Sequence, residues 1–93
     1  MGLIRVLVVA GSDDHPKLSD FTKEGVTKKV ELMDNSLGLR NSICQLVHSD
    51  LVVTAGEWHS DKNCVSIVDI ARKLKTKVIH ESRFKEYAEE NHN

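Results

Sequence analysis

The sequence predicts a single α/β domain in which four short parallel strands alternate with helices. Residues 3–10 and 51–55 are almost continuously apolar and β-branched, which is typical of central parallel strands covered on both faces. Apolar residues recur at helical spacing between and after these runs, and strands that alternate with helices form right-handed βαβ units. The predicted fold is a small flavodoxin-like or Rossmann-like domain over residues 1–93, with strand order 2-1-3-4.

The composition fits one soluble folded domain without a polyanionic partner. The chain has 93 residues, of which 40% are hydrophobic and 29% charged, so it can build one hydrophobic core and no second domain. Its formal net charge of −1 offers no general attraction for nucleic acid or for an anionic membrane. The apolar run at residues 3–10 is too short to span a bilayer. We expect a cytoplasmic protein.

The first strand and the helix after it are marked by their boundaries. The strand over residues 3–10 runs into a polar turn. Pro16 fits the first turn of a helix, and a few apolar residues then share one face until Gly25 stops the pattern. The sequence therefore predicts a short helix that begins at residue 14 or 15 and ends before Gly25.

The second strand and the second helix carry weaker patterns. Residues 26–33 alternate in part between apolar and charged side chains, as expected of a strand at an edge of the sheet. A polar turn follows, and it supplies both turn and cap chemistry. The helical stripe after it consists of Leu39, Ile43, Leu46 and Val47. This stripe predicts a helix that runs to about His48.

The second half of the chain repeats the strand–helix pattern twice. Residues 51–55 form the third strand, which Gly56 closes, and residues 77–80 form the fourth. The helix between them has the clearest amphipathic stripe, which consists of Cys64, Ile67, Val68, Ala71 and Leu74. A last helix, capped by Ser82, is expected to carry Phe84, Tyr87 and Ala88.

Both cysteines are predicted to be reduced core residues. Cys44 and Cys64 each fall within an apolar helical pattern, and no cysteine-dense framework accompanies them. A thiol beside a helix N-terminus can act as a nucleophile. Because Cys64 lies on an apolar stripe, a structural role is favoured for it.

Polar side chains concentrate in the two loops that follow the first and third strands. The predicted strand order places these loops side by side at the switch point, where open α/β sheets bind ligands. Gly11 and Gly56 would let a ligand approach the backbone, and the third helix offers free N–H groups. The candidate binding residues are Gly11, Ser12, Asp13, Gly56, Trp58, Ser60, Asp61 and Asn63. The alternative is that both loops are ordinary solvated turns with strand-terminating glycines.

The loops suggest neither a metal nor a cofactor. A metal site across the crevice would draw on Asp13, His15, Glu57 and His59, but no recognised ligand spacing accompanies them, so none is predicted. Gly11 stands alone after the first strand, without the further glycines of a dinucleotide or ATP phosphate site. Trp58, the single tryptophan, either offers a stacking face to a base or sugar or caps the core.

The second half of the chain resembles the nucleoside 2-deoxyribosyltransferase superfamily, and more closely its short bacterial and phage relatives. The matching segments are Asp50-Leu51-Val52-Val53, Gly56-Glu57-Trp58 with Asp61, Ala71, and Lys77-Val78-Ile79. The first half matches only as a strand followed by a polar turn. This resemblance implies a Rossmann-like fold and a ribosyl ligand.

The resemblance also implies that the catalytic residue is missing. In the transferases an Asp in this loop is followed two residues later by Gly, and six residues later by the Glu that attacks the anomeric carbon. Asp61 matches the Asp, whereas Asn63 and Ile67 occupy the other two positions. Because isoleucine cannot form a glycosyl ester, transfer by double displacement is not expected.

The sequence leaves three functions open. The leading expectation is a binding domain for a nucleoside, a nucleotide or a related ribosyl compound, without catalysis. The enzyme alternative is an N-glycosidic hydrolase or transferase that uses Asp61 or Glu57 as its carboxylate. The third is a structural protein that self-associates, most simply as a dimer. Its predicted contact residues are Leu39, Leu46, Phe84 and Tyr87.

Overall fold

The computed structural model describes residues 2–91, so Met1, His92 and Asn93 of the predicted domain lie outside the described residues. The strands are β1 (Ile4–Ala10), β2 (Thr27–Leu32), β3 (Leu51–Ala55) and β4 (Lys77–His80). The α-helices are α1 (Leu39–Val47), α2 (Lys62–Lys73) and α3 (Phe84–Glu90). All strand pairs are parallel and the order is β2-β1-β3-β4, which confirms the predicted fold class and topology.

The central strands β1 and β3 are buried on both faces of the sheet. They pair in register from Val6 opposite Leu51 to Ala10 opposite Ala55. The α3 face of the core consists of Val6, Val8, Ala10, Phe21, Leu51, Val53, Ala55, Phe84 and Ala88. The α1–α2 face consists of Leu7, Val9, Met33, Leu46, Val52, Cys64, Ile67, Val68 and Ala71. Because neither face meets water, both strands are nearly continuous apolar runs.

The predicted helix between the first two strands is wrong. Only a 3-10 turn, Leu18–Phe21, forms there. The segment has too few apolar residues for an amphipathic stripe, and the Thr22 hydroxyl donates to the Leu18 carbonyl, which competes with helix continuation. Phe21 instead anchors the crossover, because its ring packs edge-to-face on Phe84 with centroids 5.6 Å apart.

Strand β2 lies at an edge of the sheet, as predicted, but its alternation is interrupted. The register with β1 shifts between the pairs Ile4–Thr27 and Arg5–Lys29, so Lys28 is an extra residue. Beyond this bulge, Val30 packs against the α3 face while Leu32 remains 39% exposed. The bulge therefore sets which side chains of β2 reach the core.

Two local predictions about the helices are also wrong. Cys44 is exposed, because the buried stripe of α1 runs through Ser42 and Leu46 and leaves position 44 on the solvent side. Ser82 does not cap α3. It lies in a 3-10 turn, Glu81–Arg83, in which His80 Nδ1 accepts the Ser82 N–H at 3.2 Å.

The residues expected to mediate self-association lie largely in the monomer's own core. Leu46 and Phe84 are buried, so these two are wrong as contact residues. Leu39 and Tyr87 are only partly buried against the core, and their part in an interface stays a prediction. Self-association itself stays a prediction. The large apolar side chains on the surface are Leu3, Leu32, Leu37, Val47 and Leu74. Within residues 2–91, no helix is long and apolar enough to cross a membrane.

The Phe21–Phe84 contact predicts a measurable coupling energy. Phe21→Leu and Phe84→Leu should each lower the free energy of unfolding, and the double variant should lose about 0.5–1.5 kcal/mol less than the sum of the two. Urea denaturation of the four proteins measures this. Leu74→Ala, at a surface position, should change stability by less than about 0.5 kcal/mol. Full additivity of the two phenylalanine variants would show that the aromatic contact does not hold the crossover.

Candidate functional site

A cavity of about 280 Å³ opens where β1 and β3 end, at the switch point of the sheet. Its lining residues are Gly11, Ser12, Asp13, Asp14, Glu57, Ser60 and Asp61, and we call it the acidic compartment. It brings together most of the residues that the sequence predicted for the site, including the catalytic candidates Glu57 and Asp61. Gly56, Trp58 and Asn63 do not line it.

A second cavity, of about 470 Å³, lies between the loops that follow β1 and β2. Its lining residues are Ala10, Gly11, Ser12, Asp14, His15, Leu32, Met33, Asp34 and Asn35, and we call it the β2-side compartment. Gly11, Ser12 and Asp14 belong to both compartments, so the two adjoin the same β1 loop. Sequence reasoning missed this half. The polar turn after β2 could have predicted it, because the carboxyl ends of parallel strands meet at the same edge of the sheet.

Asp14 joins the β1 and β3 loops. Its Oδ2 accepts the Glu57 N–H at 2.7 Å, and its own N–H donates to the Gly11 carbonyl at 3.0 Å. A short hydrogen bond to a carboxylate is among the stronger ones in proteins. Asp14 was not among the predicted site residues, yet it determines the separation of the two loops that carry them.

The two glycines of the crevice make room for the Asp14 carboxyl group. A Cβ on Gly56 would overlap the Asp14 carboxyl group, and the φ of Gly56 is +56°. A Cβ on Gly11 would lie 2.8 Å from Asp14 Oδ2 and 3.0 Å from the Glu57 carbonyl oxygen. Both positions therefore require glycine beside Asp14, while ligand approach to their backbone stays a prediction.

Backbone N–H groups at this edge are bonded to carboxylates of the chain itself. The Gly56 N–H donates to Glu81 Oε2 at 2.9 Å, beside the bond between Glu57 and Asp14. At the start of α2, Asp61 Oδ1 accepts the N–H groups of Asn63 at 2.9 Å and Cys64 at 3.2 Å. The sequence suggested that these two N–H groups were free for a ligand. They are instead bonded to the side chain of Asp61, the N-cap residue of α2.

The edge carries a concentration of negative charge. Its carboxylates are Asp13, Asp14, Asp34, Glu57, Asp61 and Glu81. The ion pairs among residues 2–91 are Lys29–Glu31 and Arg83–Glu86, and neither includes any of these groups. Hydrogen bonds from the Ser36 hydroxyl and N–H lower the pKa of Asp34, which keeps that group ionised. The resulting potential favours cations and hydroxyl donors and repels anions.

Asn35 and Cys64 connect the two compartments beneath the surface. Asn35 Nδ2 donates to Asp61 Oδ2 at 3.3 Å, and its Oδ1 is buried with no hydrogen-bond partner among the described residues. The Cys64 thiol donates to the Ala10 carbonyl at 3.2 Å. Burial, together with the charge of Asp61, raises the pKa of Cys64 to about 11. Cys64 is a free, buried thiol, as predicted, and not a thiolate nucleophile.

Two further residues singled out from the sequence lie away from both cavities. Trp58 is half-buried against the α1–α2 face, and its ring centroid lies 4.0 Å from that of His59. This is the core-capping position, the second of the roles that the sequence left open. Ile67 is fully buried in the same core. Within residues 2–91, no three His, Cys, Asp or Glu side chains come together in a group that could hold a metal ion.

Comparisons with protein-family models, with curated proteins and with solved structures found no match to this chain. The resemblance to the transferase superfamily stays a prediction. The site must therefore be interpreted from its own geometry and charge.

The Asp14 clamp predicts unequal effects for two neighbouring aspartates. Asp14→Ala should lower the free energy of unfolding by about 1–3 kcal/mol, because it leaves the Glu57 N–H without its acceptor. Asp13→Ala is the matched control. Asp13 is exposed and makes no hydrogen bond or ion pair within residues 2–91, so its loss should cost less than about 0.5 kcal/mol. Equal effects in urea denaturation would contradict the clamp.

The two cysteines should differ sharply in reactivity. At pH 8 a thiol reagent should modify Cys44 quickly in the folded protein and Cys64 only after unfolding, because Cys64 is buried and its pKa is raised to about 11. Mass spectrometry of labelled peptides identifies which cysteine is modified. The raised pKa of Cys64 also makes the free energy of unfolding fall as the pH rises from about 9, the ordinary thiol value, towards 11. Rapid labelling of Cys64 in folded protein would contradict its burial.

Proposed function

We propose that the domain binds a nucleoside or a related uncharged ribosyl compound at the crevice and does not transfer it. The acidic compartment carries this proposal, because its carboxylates and hydroxyls line a cavity at the switch point of a parallel sheet. Ribose hydroxyls are donors that such carboxylates accept strongly. Asp13 and Glu57 are the best placed acceptors, since both are exposed to the cavity and neither is used as a clamp or a cap.

The charge of the crevice favours a nucleoside over a nucleotide. Phosphate sites in α/β proteins use free backbone N–H groups at a helix start or in a loop after a strand. Here Glu81, Asp14 and Asp61 accept the N–H groups that follow β3 and begin α2, which are those of Gly56, Glu57, Asn63 and Cys64. A phosphate at these donors would have to displace a carboxylate and would meet the remaining ones at close range.

The absence of transfer is proposed from the position of Ile67. If the resemblance to the transferases holds, this residue stands where the nucleophilic glutamate would be. Ile67 is fully buried among the apolar side chains of α2 and the sheet, and it lines neither compartment. The isoleucine side chain has no carboxylate with which to form a glycosyl ester.

One observation keeps an enzyme as the second candidate. Glu57 lines the acidic compartment and is exposed, and its side chain makes no hydrogen bond or ion pair within the described part of the chain. An unengaged carboxylate can activate water at an anomeric carbon. Asp61 is less suited to this role, because it accepts hydrogen bonds from Asn35, Asn63 and Cys64. The hydrolase alternative therefore depends on Glu57.

We also propose a reducing compartment such as the cytoplasm. Both Cys44 and Cys64 are free, and one of them is exposed. An exposed free thiol is most readily maintained where disulfides are kept reduced.

Nucleoside binding should show a specific preference when ligands are titrated and followed by NMR. An uncharged nucleoside should bind, and its 5′-monophosphate should bind about tenfold more weakly at low salt, with the difference shrinking as salt is added. Asp13→Asn should lower the affinity for the nucleoside by about threefold or more, because a charged hydrogen-bond acceptor is lost. Asp69→Asn is the matched control, since Asp69 is exposed on α2 and lines neither compartment.

Tighter binding of the monophosphate would contradict the preference for an uncharged ligand. The same nucleosides should be recovered intact after long incubation. Release of free base that stops in Glu57→Gln would replace the binding function with the hydrolase.

A further inference from the structure

The two compartments of the crevice differ in chemistry. The acidic compartment is lined by carboxylates, hydroxyls and one glycine. The β2-side compartment keeps polar lining from Ser12, Asp14, Asp34 and Asn35, and it differs by having the apolar side chains of Ala10, Leu32 and Met33, with His15 also in its lining. A nucleoside has the same division, because its ribose presents hydroxyls and its base presents a flat, largely apolar face.

The two compartments adjoin each other in a way that suits one ligand. Gly11, Ser12 and Asp14 line both, so a molecule that lies across the β1 loop can reach the two at once. The β2-side compartment, at about 470 Å³, is within the range of about 300–1,000 Å³ that is usual for small-molecule sites. It is also the larger of the two.

The tryptophan that the sequence suggested as a base platform is not at the crevice. Trp58 packs against the α1–α2 face and lines neither compartment. Leu32 is the large apolar side chain that faces the crevice and is still 39% exposed. Covering it with a base would remove apolar surface from water, and the His15 ring offers a stacking partner.

We infer that a bound nucleoside is divided between the compartments, with its base against Leu32 and His15 on the β2 side and its ribose in the acidic compartment. This inference rests on the proposed function and adds the position and orientation of the base. It assigns base recognition to the end of β2 and to the loop after β1. The loop after β3 then contacts only the sugar.

The test compares a nucleoside with methyl β-D-ribofuranoside, which has the sugar without the base. Leu32→Asn should weaken nucleoside binding by about fivefold and leave methyl riboside binding within about twofold. Leu74→Asn is the matched control, since Leu74 is an exposed leucine that lines neither compartment, and it should change neither ligand. In the unmodified protein, nuclear Overhauser contacts should join the base protons to the Leu32 methyl groups.

The outcomes separate this inference from the proposed function. Nucleoside binding that is unchanged by Leu32→Asn, with no contact between the base and Leu32, would overturn the base position and leave the proposed function intact. Loss of nucleoside binding in Trp58→Ala but not in Leu32→Asn would move the base to the β3 loop. Failure of every nucleoside and of methyl riboside to bind the unmodified protein would overturn both. The Overhauser measurement uses unmodified protein and decides the question even if Leu32→Asn does not fold.

Discussion

The hydrogen bond between the Asp14 carboxylate and the Glu57 N–H sets the geometry of the functional edge. It joins loops that are 43 residues apart in the chain but follow neighbouring strands of the sheet. Gly56 and Gly11 are required beside it, because any side chain at either position would collide with Asp14 or the Glu57 carbonyl. Asp14 also lines both compartments, so their shapes depend on this one contact. A structural bond thus determines where a ligand can enter.

The chain supplies its own anions to the donors of this edge. In many α/β proteins the loops after the strands and the first turn of a helix present N–H groups to a phosphate. In this domain Asp14, Glu81 and Asp61 fill those places. The N–H groups of Gly56, Glu57, Asn63 and Cys64 are therefore satisfied without a ligand. The same arrangement reverses the charge preference of the fold, from anionic ligands towards neutral or cationic ones.

The sequence predicted well what depends on local pattern and poorly what depends on distant contacts. The buried runs of β1 and β3 and the stripe of α2 follow from periodicity, and these elements form the centre of the sheet and the crossover beside it. The helix predicted before β2 does not form. Phe21 in that segment is instead held by its contact with Phe84, which no local pattern contains. Most of the acidic compartment was predicted because its residues directly follow β1 and β3. The β2 side was missed because strand position, and not residue type, brings Leu32 to the crevice.

The crossover without an α-helix affects the order in which the domain can fold during synthesis. The α3 face of the sheet is covered by one 3-10 turn and by α3, which follows all four strands in the chain. Phe21 therefore has no aromatic partner until Phe84 has left the ribosome. The β1–β2 unit keeps an apolar face open until α3 has been synthesised, and such faces are where nascent chains meet chaperones. The aromatic pair of this core therefore forms only after all four strands have been made.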